Sequence, residues 1–550
     1  MERDVLPLSF AHLGPGLRRG TKKVWNALPF FALAVAMFVA WMHPAILDPR
    51  NVGWLLDGSD RGQNSMGLIA YLRGGTWPGL HDPMLMAPEG LPLALTDSNP
   101  LLGLLLGLFG LPVGWQVTGL WLFACIALQV IFARALVTRY VADPLAAFLG
   151  TALLAVSPAL IARYGHVNLC AHWLILWALW VFVDPDRARR PGWWAAVLGV
   201  ALLVHPYLTV MAAAIWASAV LRLLVVEPES WRRTVVGAGA VTVLLVGIAW
   251  WLGFIGLDAL PTGSYGQFGM ALDALWNPGN SDYSALLPGL TTTSAQGFEG
   301  LNYLGAGLLA LAVVACVAAV ARRERLADLP LFWLVPAFLV LTLVAIGPHW
   351  VWRGQTLMAW PLPDIVRDAL DPVRAGGRLF WPVGYVIALA AIVVASRLPR
   401  ASLILGAALA LQLFDLAPMV SAVRATSASA GDQIYRCTRD PAWAAMVARA
   451  SAIEFEPATP YLEEAVRDEL TWRAITAPRP VPLRYFYASR EPAAVRKRLD
   501  ADTAAFQAGR IDPTRLYVIL DNRIPLAVMN RIQLIDGIAV IPPVSPSSPR

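Results

Sequence analysis

Long apolar runs recur through this chain of 550 residues and limit its fold more than any other feature. An apolar stretch of about 17–25 residues is long enough to cross a bilayer as a helix. Only 15% of the residues are charged, whereas an ordinary soluble protein carries about 25%. The pattern therefore predicts a polytopic α-helical membrane protein with about eleven transmembrane helices. The runs cover residues 27–43, 114–136, 145–161, 168–183, 193–207, 208–226, 234–255, 303–321, 330–347, 379–396 and 399–418.

The short loops between the runs carry most of their positive charge on one side, when the runs are counted in order. Because Lys and Arg accumulate in cytoplasmic loops, this side and the N-terminal segment 1–26 are predicted to be cytoplasmic. The long connections 44–113, 256–302 and 348–378 then lie on the outer face. The charged loops contain Arg134, Arg139 and the segments "DPDRARRPG", "EPESWRR", "ARRER" and "SRLPR".

The composition changes after the last run, from apolar to charged and proline-containing. The transmembrane region is therefore expected to span 27–419, and 420–550 to form a small soluble α/β domain on the outer face. Short strands are predicted in "PLRYFYA", "RLYVIL" and "IAVI". Helices are predicted in "DPAWAAMVARA" and "EPAAVRKRLDADTAAFQAG", which have acidic residues near their starts.

Two classes of site are not expected. The net charge of +6 is modest and no long basic run occurs, so a nucleic-acid partner is not predicted. The four cysteines show no C-x-x-C or Cys/His spacing, so neither a thiolate zinc site nor a disulfide is predicted.

The first outer loop holds two acids three residues apart, Asp57 and Asp60, in "LLDGSDRGQ". Asp-Gly is strong turn chemistry, so one interpretation is a tight turn with Asp60 capping a helix that starts near Gln63. The other is a catalytic base, because a carboxylate at a low-dielectric edge can have the raised pKa that a base needs. Spacing alone also leaves a divalent cation open.

Other ionisable residues gather on the same predicted face. Ionisable groups at the bilayer edge are costly unless they are paired or functional. A face rich in Arg, His and acids suits a reaction between a lipid phosphate and a polar acceptor. Structural alternatives are interfacial anchoring for Arg, ion pairing for Glu299 and a helix-dipole contact for Asp97. The candidates are Asp97, Arg163, His166, His205, Tyr207, Glu299, Arg374 and Arg378.

Arg374 and Arg378 are the preferred phosphate-binding residues. They are four residues apart in "DPVRAGGRLFWP", where a helix is expected to begin. On a helix they would share one face, and free N–H groups at a helix N-terminus bind phosphate. Gly376 and Gly377 would permit close approach of the lipid phosphate.

Six stretches together resemble a bacterial family of multi-pass membrane proteins similar to the GT-C glycosyltransferases, which take a sugar from a polyprenyl-phosphate carrier. They extend from the first loop to the tenth run. The acidic position of the family's first-loop motif falls on Asp60. The stretches are "GSDRGQNSMGLIAYLRG", "PEGLPLALTDSNPLL", "RYGHVNLCAHWLILWAL", "HPYL", "GFEGLNYLGAG" and "VRAGGRLFWPVGY".

The resemblance implies a GT-C-like glycosyltransferase in the bacterial inner membrane with its active face in the periplasm. It implies inverting transfer from a polyprenyl-phosphate sugar to a lipid, glycan or protein acceptor, with Asp60 as base and Asp57 as a second acid. Arg374, Arg378 and Arg163 would bind the donor phosphate. Substrate contacts would fall to His166, His205, Tyr207, Glu299 and Asp97. Two other classes remain open: a transporter or flippase of a polar or lipid-linked substrate, and a non-catalytic GT-C-like assembly protein.

Overall fold

The computed structural model describes residues 15–256, 258, 262–279, 283–292, 294–322, 330–428, 433–521 and 523–544. Residues 1–14 of the predicted cytoplasmic segment, most of the "ARRER" segment and Asp282 of the second long loop lie outside the described residues. Within these ranges the chain is mostly helical, with a small sheet near its C-terminal end.

Proline residues mark several helix starts, because proline is favoured at a first helical position and disfavoured in helix interiors. Pro144, Pro191 and Pro206 each begin a helix in this way. The helices of the first 428 residues are α1 Pro15–Trp41, α2 Asp60–Gly74, α3 Pro100–Phe109, α4 Thr118–Val137, α5 Pro144–Ala155, α6 Pro158–Ile161, α7 Trp173–Phe182, α8 Pro185–Ala188, α9 Pro191–Val204, α10 Pro206–Val226, α11 Trp231–Trp251, α12 Ser294–Glu299, α13 Ala306–Arg322, α14 Val335–Ile346, α15 Asp364–Leu370, α16 Trp381–Ser396, α17 Ala401–Asp415 and α18 Ala417–Ala428.

The prediction of eleven transmembrane helices is not supported by the lengths of the helices. Among the described residues, four helical segments are long and apolar enough to span a membrane: Thr118–Val137, Pro206–Val226, Pro228–Trp251 and Gly376–Ser396. The pair α17 and α18, bent by 52°, is a fifth candidate. Seven further apolar helices have only 10–17 residues.

Apolar run length overstates helix length here for a structural reason. The run 168–183 begins as an irregular loop and becomes α-helical only at Trp173. The run 145–161 is interrupted after Ala155, and a four-residue helix follows from Pro158. Irregular backbone at this depth is compatible with a membrane protein where other helices bury it. In contrast, the helix predicted after Asn99 is present as α3, with the Asn99 Oδ1 accepting the N–H of Leu102 at 3.3 Å.

The C-terminal region contains the predicted small α/β domain. Its strands β5 Ile453–Glu456, β6 Leu516–Ile519, β7 Gln533–Ile535 and β8 Ile538–Ile541 form a sheet in the order β5-β6-β8-β7. The β5–β6 pair is parallel and the other two pairs are antiparallel. Its helices are α19 Ala442–Arg449, α20 Glu464–Thr476 and α21 Ala493–Gln507. Two further hairpins lie earlier in the chain, β1 His81–Asp82 with β2 Leu91–Pro92, and β3 His349–Trp352 with β4 Gln355–Ala359.

The strands in "RLYVIL" and "IAVI" and both predicted helices of this domain are confirmed, whereas the strand in "PLRYFYA" is wrong. That segment makes only isolated bridges at Leu483, to Leu85 and to Ile453. It is held from two sides, since the N–H of Leu483 donates to the Met84 carbonyl at 2.8 Å and its own carbonyl accepts from Ala87. The segment therefore joins two parts of the chain rather than extending the sheet.

The first long loop and the C-terminal domain share one hydrophobic core. Leu56, Met66 and Leu85 of the loop region are buried in the same cluster as Trp443 and Leu470 of the domain. A buried polar contact reinforces this packing, because Asp468 Oδ2 accepts the backbone N–H of Gly58 at 2.9 Å. The domain therefore packs directly on the loop that carries the two predicted acids.

Candidate functional site

The turn before α2 is stabilised by Asp57, not by Asp60. Asp57 Oδ1 accepts from the N–H of Ser59 at 3.2 Å, and Asp57 Oδ2 lies 2.5 Å from Arg61 Nη2. Asp60 is the first residue of α2, and Ser59 holds the N-cap position. The helix thus starts three residues earlier than predicted, and the Asp60 side chain is not used as its cap.

Asp60 instead contacts His166, which follows the short helix α6. Its Oδ2 lies 3.0 Å from His166 Nδ1, and His166 Nε2 lies 3.5 Å from Glu299 Oε1. Burial opposes ionisation of Asp60, but the hydrogen bond and charge of His166 outweigh it, so the pKa of Asp60 is lowered. The raised pKa expected for Asp60 is therefore wrong. The pKa of His166 is raised, because its carboxylate contacts outweigh the effect of burial.

Glu299, at the end of α12, is the centre of a buried charge cluster. Its Oε2 accepts from Arg163 Nη1 at 2.7 Å and from Arg378 Nε at 2.6 Å. Burial alone would raise the pKa of Glu299, but Arg378 and Arg163 hold it well below its ordinary value. Two guanidinium groups on one carboxylate leave a net positive charge in a low-dielectric setting, which favours a nearby anion.

Asp97 has a different environment from Asp60. It follows a 3₁₀ turn, Leu93–Thr96, in the left-handed conformation with φ of 56°. Its carbonyl oxygen accepts the side-chain amides of Asn64 and Asn168, the second at 2.7 Å. Within the described part of the chain its carboxylate has no hydrogen-bond partner, and burial raises its pKa despite the opposing charge of His166.

A cavity of about 950 Å³ collects these groups. One part of its wall is charged and polar, and another part consists of apolar side chains from α9, α10 and α11 and the residues after them. The charged and polar part includes Asp60, Asn64, Asp97, His166, Asn168, His205, Tyr207, Glu299, Arg374 and Arg378. The apolar part includes Leu202, Val204, Val210, Ala249 and Phe254.

Arg374 differs from Arg378 in its partners. Both line the cavity, but Arg378 is paired with Glu299, whereas Arg374 has no carboxylate within ion-pair distance among the described residues. Its side chain contacts the phenol of Tyr487. Arg374 is thus the cavity arginine whose charge is not matched by a carboxylate partner.

The predicted geometry of these two arginines is wrong. The α-helix begins only at Trp381, and Arg378 lies in a 3₁₀ turn, Gly376–Phe380, before it. A Cβ on Gly377 would lie 2.7 Å from the Cα of Gly300, so this glycine is required for close packing of two loops. The role expected for it, admitting a lipid phosphate, is not what its surroundings indicate.

Tyr207 and His205 support the site from the α9–α10 junction. His205 Nδ1 accepts the N–H of Tyr207 at 3.2 Å and so caps α10. The Tyr207 hydroxyl accepts the N–H of Ala375 at 2.8 Å, and the Arg378 guanidinium lies 5.0 Å from the Tyr207 ring centroid. Tyr207 therefore holds the loop that carries both cavity arginines.

The structure brings eight of the ten predicted residues to the cavity wall. Arg163 is ion-paired with Glu299 on the side away from the cavity. Asp57 is ion-paired with Arg61, so the two predicted acids, Asp57 and Asp60, do not converge on one point. Across the described ranges, no group of three or more His, Cys, Asp or Glu side chains could hold a metal ion. The divalent cation that the sequence left open therefore stays a prediction.

The C-terminal domain supplies cavity residues that the sequence did not indicate. Tyr487, Ser489 and Arg490 line the cavity. The N–H of Ser489 donates to the Leu95 carbonyl at 2.8 Å, and Arg490 Nη1 lies 2.9 Å from Asp371 Oδ2. The aromatic pattern of "PLRYFYA" suggested a strand. No local signal in the sequence indicates that the residues at and just after its end pack against the first long loop.

Together the fold and cavity define a class, a helical membrane protein whose C-terminal sheet domain closes over a polar cavity beside apolar helices. The chain belongs to the family described as "Domain of unknown function (DUF6311)", whose model matches residues 31–417. The DUF6311 C-terminal domain matches residues 442–543. No curated protein matches the chain.

Proposed function

We propose that this protein is a GT-C-like glycosyltransferase of the bacterial inner membrane, which transfers a sugar from a polyprenyl-phosphate donor to a lipid, glycan or protein acceptor. The observation that carries the proposal is the composition of the cavity. One wall offers Arg374 and His166 to an anion, while the wall from α9 to α11 offers apolar contacts to a lipid chain. A lipid-linked phosphate is the ligand class that needs both.

The basic residues before the first apolar run favour a cytoplasmic N-terminal segment, which puts the first long loop on the periplasmic side. The C-terminal domain shares a hydrophobic core with this loop, so it and the cavity lie on the same side. A donor in the outer leaflet would then present its sugar to the cavity while its chain remains in lipid. An acceptor would approach from the side of Tyr487 and Ser489.

Charge matching supports the assignment of roles. As the anomeric carbon–oxygen bond breaks, negative charge develops on the leaving phosphate, and preorganised cations stabilise it. Among the described residues Arg374 has no carboxylate within ion-pair distance, and we assign it as the primary phosphate contact. Arg378 and Arg163 act through the cluster with Glu299, which sets the net positive charge of that wall.

Transfer assays in lipid nanodiscs would test the proposal. Purified protein is supplied with radiolabelled polyprenyl-phosphate sugars and a periplasmic glycan and lipid extract, and labelled acceptor is measured. We expect transfer by the wild type and a loss of about 10²–10³-fold for Arg374→Ala, the range for removal of one transition-state donor. Arg523→Ala, at a side chain 88% exposed, is the matched control and should leave the rate unchanged.

The same preparation separates the two rival functions. Movement of the labelled lipid between leaflets without any transfer to an acceptor would establish a flippase instead. Binding of the carrier with neither movement nor transfer would indicate a non-catalytic assembly protein. Either result would overturn the glycosyltransferase proposal.

A further inference from the structure

Two carboxylates from the first long loop face the same cavity with opposite surroundings. Asp60 is engaged by His166 at 3.0 Å, and its side chain is 42% exposed at the cavity edge. Asp97 is partly buried, and its carboxylate has no hydrogen-bond partner in the described ranges. A carboxylate that already accepts a hydrogen bond from an imidazole ring is poorly placed to take a proton from a substrate. A carboxylate without a hydrogen-bond partner is free to take it.

The backbone around Asp97 is held from several elements, although its side chain is not. Asn64 from α2 and Asn168 from the loop before α7 both donate to its carbonyl oxygen. Thr96 Oγ1 donates to Ser98 Oγ at 2.8 Å, and Ser98 Oγ donates to the Asn64 carbonyl at 2.7 Å. These hydrogen bonds maintain the left-handed backbone conformation of Asp97, which is unfavourable in free energy for a residue other than glycine. They therefore fix the position of Asp97 on the cavity wall.

We propose that Asp97, rather than Asp60, accepts the proton of the acceptor hydroxyl. This inference rests on the proposed glycosyl transfer. In the step, the acceptor O–H bond breaks and its proton moves to a carboxylate oxygen of Asp97. The acceptor oxygen forms a bond to the anomeric carbon, and the bond from that carbon to the donor phosphate breaks, with the electron pair leaving on the phosphate.

The electrostatic surroundings of Asp60 and Asp97 agree with the assignment of Asp97 as the proton acceptor. Burial raises the pKa of Asp97, and the negative charge of Asp60 adds to the effect, while His166, Arg378 and Arg374 oppose it. The pKa of Asp60 is lowered. When neighbouring carboxylates are pushed in opposite directions, the one with the raised pKa takes the proton-transfer role.

Asp60 is then a positioning residue that acts through His166. By accepting the hydrogen bond from Nδ1 it fixes the imidazole orientation and favours the protonated form of the ring. The ring faces the same cavity as Arg374, so its protonated form adds positive charge where the phosphate departs. The groups facing Asp97 are thus His166 and Asp60 from one side, Arg374 and Arg378 from the loop before α16, and Tyr487 from the C-terminal domain.

The test compares Asp97→Asn with Asp60→Asn in the nanodisc transfer assay, across a range of pH. For Asp97→Asn we expect kcat to fall by about 10²–10⁴-fold, the usual contribution of a general base, with the acid limb of the rate profile abolished and donor binding retained. Asp60→Asn should keep the acid limb and move the alkaline limb, which reports His166, to lower pH, because the carboxylate that favours the protonated ring is removed. Asp364→Asn, at a side chain 85% exposed, is the control.

A second variant distinguishes loss of the carboxylate from loss of the fold. Asp97→Gly removes the carboxylate and suits the left-handed conformation, so the thermal transition should be unchanged or higher, and added formate should restore part of the transfer rate. If Asp97→Asn keeps the acid limb and its rate, while Asp60→Asn loses both, Asp60 is the base and the inference is overturned. No transfer by the wild type with any donor would instead overturn the proposed function, and the inference with it.

Discussion

His166 Nδ1 and Asp60 Oδ2 lie 3.0 Å apart on the wall of the cavity, and this contact favours the charged form of both groups. The carboxylate favours the protonated imidazole, and the imidazolium favours the ionised carboxylate. Asp60 begins α2, whereas His166 lies in the loop after α6, so the pair also connects the first long loop to the helical region. The site is therefore both a charge arrangement and a structural junction.

The pH dependence of stability follows from the two directions of shift. The lowered pKa of Asp60 contributes stability above its unfolded value of 3.8, which is lost as pH falls through the folded value. The raised pKa of His166 contributes stability below its unfolded value of 6.5, which is lost as pH rises through the folded value. Both contributions are complete between these two unfolded values.

Substitution of His166 should remove this dependence. For His166→Gln we expect the difference in thermal transition from wild type to be greatest at about pH 4–6 and to shrink as the pH rises above the ordinary imidazole pKa of 6.5. Differential scanning fluorimetry over pH 4–9 measures it. A difference that grows towards alkaline pH would show that His166 is neutral in the folded protein.

Loss of the Glu299 charge should destabilise the protein strongly. Glu299→Gln leaves the guanidinium groups of Arg163 and Arg378 buried without their counter-ion, and breaking a buried pair in this way costs about 3–5 kcal/mol. The free energy of unfolding in denaturant is the measurement. The control, Asp364→Asn, breaks an exposed pair with Arg367 and should change stability by about 0–1 kcal/mol. Equal effects of the two variants would contradict the buried cluster.

Close packing at Gly377 should make this position intolerant of a side chain. The Cβ of Gly377→Ala would lie 2.7 Å from the Cα of Gly300 and 3.2 Å from the Glu299 carbonyl oxygen. Overpacking of this kind costs about 1–3 kcal/mol, and it should displace Arg378 from Glu299. Thermal stability measures the effect. Gly165→Ala is the matched control, since nothing lies within 4 Å of its added Cβ.

Removal of Arg490 should release the C-terminal segment from the cavity. Arg490 contacts Asp371 at 2.9 Å, and both side chains are largely buried. Hydrogen bonds to charged groups contribute about 1.5–3 kcal/mol, so Arg490→Ala should raise amide exchange at Ser489 by about tenfold or more. Hydrogen–deuterium exchange measures it. Arg523→Ala, whose side chain is exposed, should leave exchange at Ser489 as in the wild type.

Much of the local structure could be predicted from the sequence. The Asn99–Pro100 start of α3 was predictable because a cap and a first-turn proline act within a few residues. The strand in "RLYVIL" and the helix α21 were predictable for the same reason, since a short run of aromatic and β-branched residues and an acidic residue near a helix start are local signals. The residues of the long loops could be selected as a set because ionisable groups are unusual beside apolar runs.

The arrangement of that set could not be predicted. Whether Arg378 serves an anion or Glu299 depends on a contact between residues 79 positions apart. Tyr487 reaches the cavity because the first long loop and the C-terminal domain share one hydrophobic core. No single segment of the sequence indicates this long-range packing. The number of long helices also escaped prediction, because hydropathy does not show where loops interrupt an apolar run.

The sequence by itself determined the membrane class, the C-terminal sheet domain and the pool of ionisable residues, because hydropathy, caps and alternation act over short distances. Only the tertiary structure decided which of those residues form ion pairs and which are left to face the cavity without one. Among the described residues, packing placed Asp60 against His166 and left the Asp97 carboxylate without a hydrogen-bond partner, and it matched Glu299 to two arginines while leaving Arg374 without a carboxylate in ion-pair distance. The charge state of a carboxylate depends on its burial and neighbours, and those neighbours are brought together only by the fold.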